Sequence, residues 1–351
     1  MRPGRLLACC RAGFERECAQ ELTAVAAEMG VDGFVRARPE SGFAVFQPNQ
    51  EELGVELGQH IEFARLVFPR ELLRVGEMVQ GLAAGDRVTP IANAAIALGK
   101  RFASLWLEMP DTNDGKALST LARTLQPHLE KALRASGVVI DPKAEERLHV
   151  FFVGGAACYV GTSPAAEGAG WPMGIVRLRM PGSAPSRSTL KLAEALMEFI
   201  PRGDETRLAP GMQAVDLGAA PGEWTWQLVK RGMHVLAVDN GEIDPRLLET
   251  GQVKHRRTDG FTFRPSEPVD WMVCDMVESP SRIARLVGRW FSEGWCTQSI
   301  FNLKLPMKKR YEEVERCRAL IDEALGGGGY YLRIKHLYHD REEVTAYLAR
   351  R

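Results

Sequence analysis

The spacing of apolar residues changes near residue 165, and the two halves of the chain predict different folds. In the first half, alternating apolar positions over 33–48 predict a strand pair, and leucines at three- and four-residue steps over 114–136 predict a helix. In the second half, short apolar runs alternate with helical stretches, a pattern typical of a doubly wound parallel sheet. We expect an α+β N-terminal half followed by an α/β domain whose last strand is antiparallel.

The same patterns locate the individual elements. In the N-terminal half they predict strands at 6–10, 102–109 and 148–160, helices at 15–29, 88–98 and 114–136, and the hairpin at 33–48. A segment rich in Gly, Ala, Ser and Pro at 161–170 predicts a linker. Beyond it they predict strands at 213–217, 234–239, 252–256, 270–275, 299–304, 330–337 and 344–349, and helices at 188–199, 224–231, 280–291 and 311–325.

Composition excludes several classes of protein. The 351 residues carry 45 basic and 45 acidic side chains, so any binding to nucleic acid must come from local basic patches. None of the seven cysteines stands in a C-x-x-C pair or at zinc spacing from a histidine. No apolar run approaches the roughly twenty residues of a membrane span. We expect reduced cysteines, no metal, no membrane contact, a cytoplasmic location and a monomer.

A glycine turn follows the first strand of the C-terminal half. The apolar run ends at Asp216-Leu217-Gly218-Ala219-Ala220-Pro221-Gly222, and a helical pattern begins near Trp224. Glycines permit positive φ angles and a helix start offers unpaired amides, so a polar ligand could bind here. The spacing is G-x-x-x-G and not the G-x-G-x-x-G of dinucleotide-binding enzymes. An ordinary strand–helix turn is the alternative interpretation.

Aspartates stand at the ends of the strands that follow. Asp239 and Asp275 end two predicted strands, and Asp259 follows a third. Ligands of a parallel sheet bind at this carboxyl edge, and an aspartate about twenty residues after the glycine turn is placed to bind both hydroxyls of a ribose. Adenosine without a pyrophosphate site indicates S-adenosylmethionine. Each aspartate alone could instead be a helix cap or a turn residue.

Other side chains at this edge favour a hydroxyl as methyl acceptor. The fourth strand ends in Asp275-Met276-Val277 and lacks the Pro-Pro-aromatic sequence common in amino-group methylases. A sugar hydroxyl must lose its proton for methyl transfer, and a lysine can accept that proton if its pKa is lowered. Lys304 ends the fifth strand, and we expect burial and a second cation, Lys191, to lower its pKa. Glu342 or Glu343 begins the last strand and would reach the same edge.

Two basic segments lie beside these residues in the sequence. Arg177, Arg179 and Arg187 surround a proline-containing loop, and Lys308-Lys309-Arg310 follows Lys304. Such segments could bind RNA phosphates, or they could form an ordinary solvated surface.

Five segments resemble a known family, and the likeness extends over nearly the whole chain. They are residues 186–192, 216–222, 274–276, 302–311 and 339–344. The family is that of the bacterial ribosomal RNA large subunit methyltransferases M (RlmM), which belongs to the FtsJ-like class I 2'-O-methyltransferases. The resemblance implies that Lys191, Asp275, Lys304 and Glu343 form the Lys-Asp-Lys-Glu tetrad of those enzymes, with Lys304 as proton acceptor. It also implies S-adenosylmethionine as cofactor, with contacts at Ser188, Ala220, Pro221, Gly222, Glu223, Asp239, Asp259 and Asp275.

The resemblance further implies a substrate and a domain organisation. The family methylates the 2'-hydroxyl of one cytidine in domain V of 23S rRNA, so the implied partner is 23S rRNA, naked or in a precursor of the large subunit. The implied domains are a ferredoxin-like α+β unit at 1–70, a THUMP RNA-binding domain at 71–165, and a Rossmann-like methyltransferase domain at 166–351. Glu223 replaces a glycine common in the family, and Ala220 replaces a cysteine found in some members. A carboxylate at 223 would repel that of the cofactor unless the side chain points to solvent.

Two other functions remain open from the sequence. A non-catalytic RNA-binding or ribosome-assembly protein could retain the same fold. A methylase acting on a base or on a protein could also use it, although the ending Asp275-Met276-Val277 disfavours that class.

Overall fold

The computed structural model describes residues 3–200 and 204–351 and divides the chain into two compact units, the first ending at Ile175 and the second beginning at Val176. The linker expected at 161–170 is wrong in its first part, because residues 161–164 complete a strand. A Cβ atom at Gly161 would lie 2.3 Å from the backbone oxygen of Arg74. The glycine therefore permits close strand packing and does not mark a flexible segment.

The N-terminal unit is built on a mixed eight-stranded sheet. In chain order its strands are β1 (Arg5–Cys9), β2 (Gly33–Ala37), β3 (Phe43–Pro48), β4 (Glu71–Val75), β5 (Val79–Gln80), β6 (Arg101–Phe102), β7 (Leu105–Glu108), β8 (Val139–Ile140), β9 (Glu146–Gly154) and β10 (Ala157–Pro164). The sheet order is β2-β3-β1-β4-β10-β9-β7, with β5 on β10, while β6 and β8 form a separate parallel pair. The predicted hairpin is confirmed as the antiparallel pair β2 and β3.

Five helices cover this sheet: α1 (Glu15–Glu28), α2 (Glu51–His60), α3 (Val88–Leu98), α4 (Asn113–Ala117) and α5 (Ser119–Ala135). The prediction of a single helix at 114–136 is wrong, because the helix is interrupted at Leu118, between α4 and α5. The leucine stripe is confirmed as core, since Leu125, Leu129 and Leu133 are buried. The pattern did not predict α2 or β4. Residues 70 and 71 are the expected boundary between the first two domains. Because β4 pairs with both β1 and β10, one sheet continues across this boundary.

The C-terminal unit contains the expected doubly wound sheet. Its strands are β11 (Gln213–Leu217), β12 (His234–Val238), β13 (Val253–Arg256), β14 (Val269–Cys274), β15 (Cys296–Lys304), β16 (Tyr330–Lys335) and β17 (Glu343–Arg350). They are arranged in the order β13-β12-β11-β14-β15-β17-β16. The first five in this order are parallel, and β17 is antiparallel to both of its neighbours. Its first residue therefore lies at the edge where the parallel strands end.

Helices pack on the sheet because its strands are apolar on both faces. They are α6 (Thr189–Phe199), α7 (Glu223–Val229), α8 (Pro245–Leu248), α9 (Pro280–Ser292) and α10 (Arg310–Leu325). Trp271 and Val273 of β14 pack with α6 and α7 in one core cluster. The intervening Met272 is equally buried, and the side chains of a strand alternate between faces. A continuous apolar run is therefore required in such a strand.

Within residues 3–200 and 204–351, no helix is both long enough and apolar enough to cross a membrane. All seven cysteines are buried and unpaired.

Candidate active site

Four charged side chains meet at the carboxyl edge of the C-terminal sheet. The Nζ atom of Lys304 contacts carboxylate oxygens of both Asp275 and Glu343. The Nζ atom of Lys191, on α6, contacts the other oxygen of Glu343 and lies 3.5 Å from Oδ2 of Asp275. The result is a closed ring of two ammonium groups and two carboxylates in alternation.

The sheet explains why these residues meet. Asp275 directly follows β14, whose parallel register on β15 pairs Cys274 with Phe301. Lys304 ends β15 and is paired with Glu343, the first residue of the antiparallel β17. The sequence left open whether Glu342 or Glu343 reaches this edge. Glu343 belongs to the ring, whereas Glu342 contacts Arg310.

The charge state of the ring differs from the expectation in one respect. Burial lowers the pKa of Lys304, but the carboxylates of Asp275 and Glu343 outweigh it and hold the pKa above its ordinary value. The expected lowering is therefore wrong, because the carboxylates of Asp275 and Glu343 contact the ammonium group of Lys304. Burial would raise the pKa of Asp275, but Lys304 and Lys191 lower it below its usual range. Both groups are charged near neutral pH.

Asp275 receives two further hydrogen bonds. Ser188 donates its hydroxyl to Oδ2 at 3.2 Å, and Asn302 donates its amide Nδ2 to Oδ1 at 2.9 Å. The sequence analysis assigned no role to Asn302. A signal was present, because an amide within the apolar run of β15 must find a partner once it is buried.

A cleft of about 360 Å³ opens beside the ring, within the range of small-molecule sites. Its lining includes Gly218, Ala220, Asp239, Asp259 and Asp275. The structure thus brings together the glycine turn and the three aspartates that follow later strands. This volume and lining fit an adenosine group, with Asp239 and Asp259 as carboxylates that can accept hydrogen bonds.

The glycine turn is shaped by its neighbours. Gly218 has φ of 77°, and a Cβ there would lie 2.5 Å from Cγ of Met276. Met276 therefore packs against the turn and lines the cleft, a contact that the sequence analysis missed. The backbone N–H of Ala220 donates to Oδ2 of Asp239 at 3.0 Å, which ties the turn to the end of β12.

The remaining residues expected at the cofactor lie next to the cleft and not in its lining. Pro221 is exposed, and Gly222 precedes α7 with φ of 119°. Glu223 begins α7 and is half-buried. Its Oε1 accepts a hydrogen bond from the hydroxyl of Ser186 at 2.7 Å. The side chain of Glu223 thus points to the segment before α6 and not to solvent.

Most of the basic side chains in the two segments singled out in the sequence are exposed. Arg177, Arg179 and Arg187 are exposed, and so are Lys308 and Lys309, which follow Lys304. Met307, which directly precedes Lys308, is 83% exposed, a high value for a large apolar side chain. The segment after Lys304 therefore exposes both charge and apolar surface.

Comparisons with known proteins cover both units. A family model described as the RlmM ferredoxin-like domain matches residues 4–73, and one described as the N-terminal part of ribosomal RNA large subunit methyltransferase M matches residues 86–164. The FtsJ-like methyltransferase model matches residues 184–306.

Relatives are similar to this chain over nearly its whole length. The ribosomal RNA large subunit methyltransferase M of Methylococcus capsulatus is 49% identical over 348 residues, which cover 99% of this chain and 98% of that protein. The protein of the same name from Cellvibrio japonicus is 50% identical over 343 residues, covering 97% of each. Among solved structures, TrmN from Thermus thermophilus aligns over 99% of both chains at 17% identity, but a TM-score of 0.35 leaves that likeness without functional meaning.

Proposed function

The chain belongs to the ribosomal RNA large subunit methyltransferase M family, and on this premise we propose that it methylates the 2'-hydroxyl of one cytidine in domain V of 23S rRNA. The observation that supports a ribose acceptor is the contact of Lys304 with Asp275 and Glu343 beside the cleft. S-adenosylmethionine, the methyl donor of FtsJ-like methyltransferases, would supply an electrophilic methyl group when bound, and its carbon–sulfur bond would break as the bond to the sugar oxygen formed.

Each member of the ring has a role in this proposal. Lys304 holds the attacking hydroxyl and takes its proton, which requires the lysine to be in its neutral form. Asp275 and Glu343 fix the direction of the Lys304 side chain, and Lys191 compensates the second negative charge. Orientation of this kind is a major source of rate enhancement.

The cleft residues would hold the donor. Asp239 would accept hydrogen bonds from the ribose hydroxyls of the cofactor, and Asp259 and Asp275, which line the same cleft, would contact other parts of it. Ala220, Pro221, Gly222 and Glu223 would contribute backbone atoms from the turn and the start of α7. Ser188 would act next to Asp275, to which it already donates a hydrogen bond.

We further propose that the N-terminal half, with a ferredoxin-like part up to residue 70 and a THUMP part over 71–165, holds the RNA while residues 166–351 react. We expect a monomer that acts in the cytoplasm, where ribosomal RNA is made. The buried, unpaired cysteines support a reducing compartment.

Primer extension tests the proposed reaction. Naked 23S rRNA and precursor particles from a strain lacking this enzyme are incubated with the protein and S-adenosylmethionine, and reverse transcription follows at low nucleotide concentration. We expect one new stop, next to a cytidine of domain V, in at least one of the two substrates. S-adenosylmethionine binding by calorimetry without a stop or incorporated methyl would favour a non-catalytic RNA-binding protein, and a methyl mapped to a base would favour a base methylase.

A further inference from the structure

A buried chain of hydrogen bonds continues from the active site into the protein. Asn302 donates Nδ2 to Oδ1 of Asp275 at 2.9 Å, and its Oδ1 lies 2.8 Å from the hydroxyl oxygen of Thr345. That hydroxyl oxygen is also 2.9 Å from each carboxyl oxygen of Asp340. Asn302, Thr345 and Asp340 are each 0% exposed. None of these three side chains is in contact with bulk solvent.

Counting hydrogens limits the arrangements of this chain. The ionised Asp275 can only accept, so Asn302 must turn its NH₂ group toward it and its carbonyl oxygen toward Thr345. The hydroxyl of Thr345 has a single hydrogen. If Asp340 were ionised, that hydrogen would serve two acceptors in different directions, and one close oxygen–oxygen contact would have no hydrogen. A buried contact of that kind is costly.

A proton on Asp340 gives the contact of Thr345 with Asp340 and its contact with Asn302 one hydrogen each. One carboxyl oxygen then donates to Thr345, while Oδ2 accepts the backbone N–H of Leu337 at 3.0 Å. Thr345 is left free to donate to Asn302, and all hydrogen bonds run in one direction toward Asp275.

The surroundings also favour a neutral Asp340. Burial raises its pKa well above the ordinary value, and the negative charges of Glu343 and Glu194 add to this effect. Groups of opposite sign are nearby: Lys335 is paired with Thr345 across β16 and β17, and the ring of His339 contacts Glu194. The pKa of Asp340 stays raised despite these groups.

We propose that a neutral Asp340 begins a one-way hydrogen-bond chain, through Thr345 and Asn302, that positions the carboxylate of Asp275 against Lys304. These three are positioning residues, since Asp275 and Lys304 stand between them and the reacting atoms. The effect on methyl transfer depends on the proposed function, whereas the proton on Asp340 does not.

Matched substitutions test the hydrogen-bond chain through the kinetics of methyl transfer. Thr345→Ser keeps the hydroxyl and should leave kcat within threefold of wild type, whereas Thr345→Val removes it and should lower kcat at least tenfold. Asp340→Asn imitates the neutral acid and should stay within threefold, while Asp340→Leu should behave like Thr345→Val. KM for RNA and for S-adenosylmethionine should change less than twofold. Wild-type kcat in Thr345→Val, or an Asp340→Asn variant as slow as Asp340→Leu, would overturn the proposal.

Urea unfolding of the full chain tests the proton without any activity. An acid whose pKa is raised by folding binds its proton more tightly in the folded state, so its contribution to stability is complete below the unfolded pKa and is lost as pH rises through the folded pKa. The urea midpoint of the wild-type protein should therefore fall relative to that of Asp340→Asn as the pH rises from 5 to 8. A constant or reversed difference would show an ionised Asp340. Wild-type protein that is inactive but shows the expected urea midpoints would refute the proposed reaction and would still support the proton on Asp340.

Discussion

At the scale of single residues, the site depends on the balance of charge around Lys304. Two carboxylates contact its ammonium group, and their attraction exceeds the cost of burial. The pKa of Lys304 was expected to be lowered by burial and by a second cation, Lys191. The sequence could not show that Glu343 would lie between Lys191 and Lys304 and contact both.

The raised pKa of Lys304 predicts how the rate depends on pH. Only the neutral amine can accept the proton of the sugar hydroxyl, and below the pKa of the lysine its fraction rises tenfold for each pH unit. We expect log kcat for methyl transfer to increase with a slope near +1 between pH 7 and pH 9, at saturating RNA and cofactor. A flat profile over this range would show that Lys304 acts as a charged group that only holds the oxygen.

Glu223 shows how one residue could be identified but not understood from sequence. The replacement of a glycine by glutamate suggested repulsion of the cofactor's carboxylate. In the structure the side chain is held by Ser186, whose Oγ in turn accepts the backbone N–H of Ser188 at 3.2 Å. The carboxylate thus supports the segment that leads to Ser188, a long-range contact that a sequence pattern does not encode.

At the scale of elements, the loop after β15 combines reactive and basic residues. Lys304 ends the strand, and Met307, Lys308 and Lys309 follow within five residues, all three exposed. A strand end fixes this loop at the same edge as the cleft. We infer that the exposed ammonium groups bind phosphates next to the target nucleotide, while Met307 offers an apolar contact to a base.

Replacing one of these lysines tests the RNA contact. Lys308→Ala should raise KM for RNA about three- to tenfold at moderate salt with kcat unchanged, because one phosphate contact is lost. The slope of log KM against log salt concentration should fall by about 0.7 to 0.9. Lys254→Ala is the matched control, since it removes an exposed lysine from the distant edge strand β13. Equal effects of the two variants would contradict a local contact.

The elements of the C-terminal unit could be predicted better than those of the N-terminal unit. Buried parallel strands give continuous apolar runs, and Gln213–Leu217 is found as predicted. In the N-terminal unit β4 was missed, although it joins β1 to β10. Its sequence is Glu71-Leu72-Leu73-Arg74-Val75, and Glu71 is fully buried. The polar and apolar positions of this strand therefore do not indicate which side chains are buried. The break at Leu118 was missed because the leucine spacing continues across it.

At the scale of the whole molecule, sequence reasoning placed Lys191, Asp275, Lys304 and Glu343 at one edge of the sheet, where they meet in the structure, because the polar residue that ends each strand is a local property. The supporting chain from Asp340 to Asp275 could not be predicted in this way. Its members, which lie between Asp275 and Thr345 in the sequence, meet through the pairing of β15 with β17. An antiparallel strand among parallel ones brings Glu343 and Thr345 to the side of Lys304 and Asn302.

The most direct test of the account is the single-turnover rate of methyl transfer to 23S rRNA by Lys304→Ala at saturating S-adenosylmethionine. The account predicts a loss of at least about a hundredfold, the contribution typical of a positioned acid–base group, with cofactor affinity within threefold of wild type. Lys308→Ala, measured at saturating RNA, should retain the wild-type rate. A rate for Lys304→Ala within threefold of wild type would contradict the central claim that this lysine takes the proton of the ribose hydroxyl.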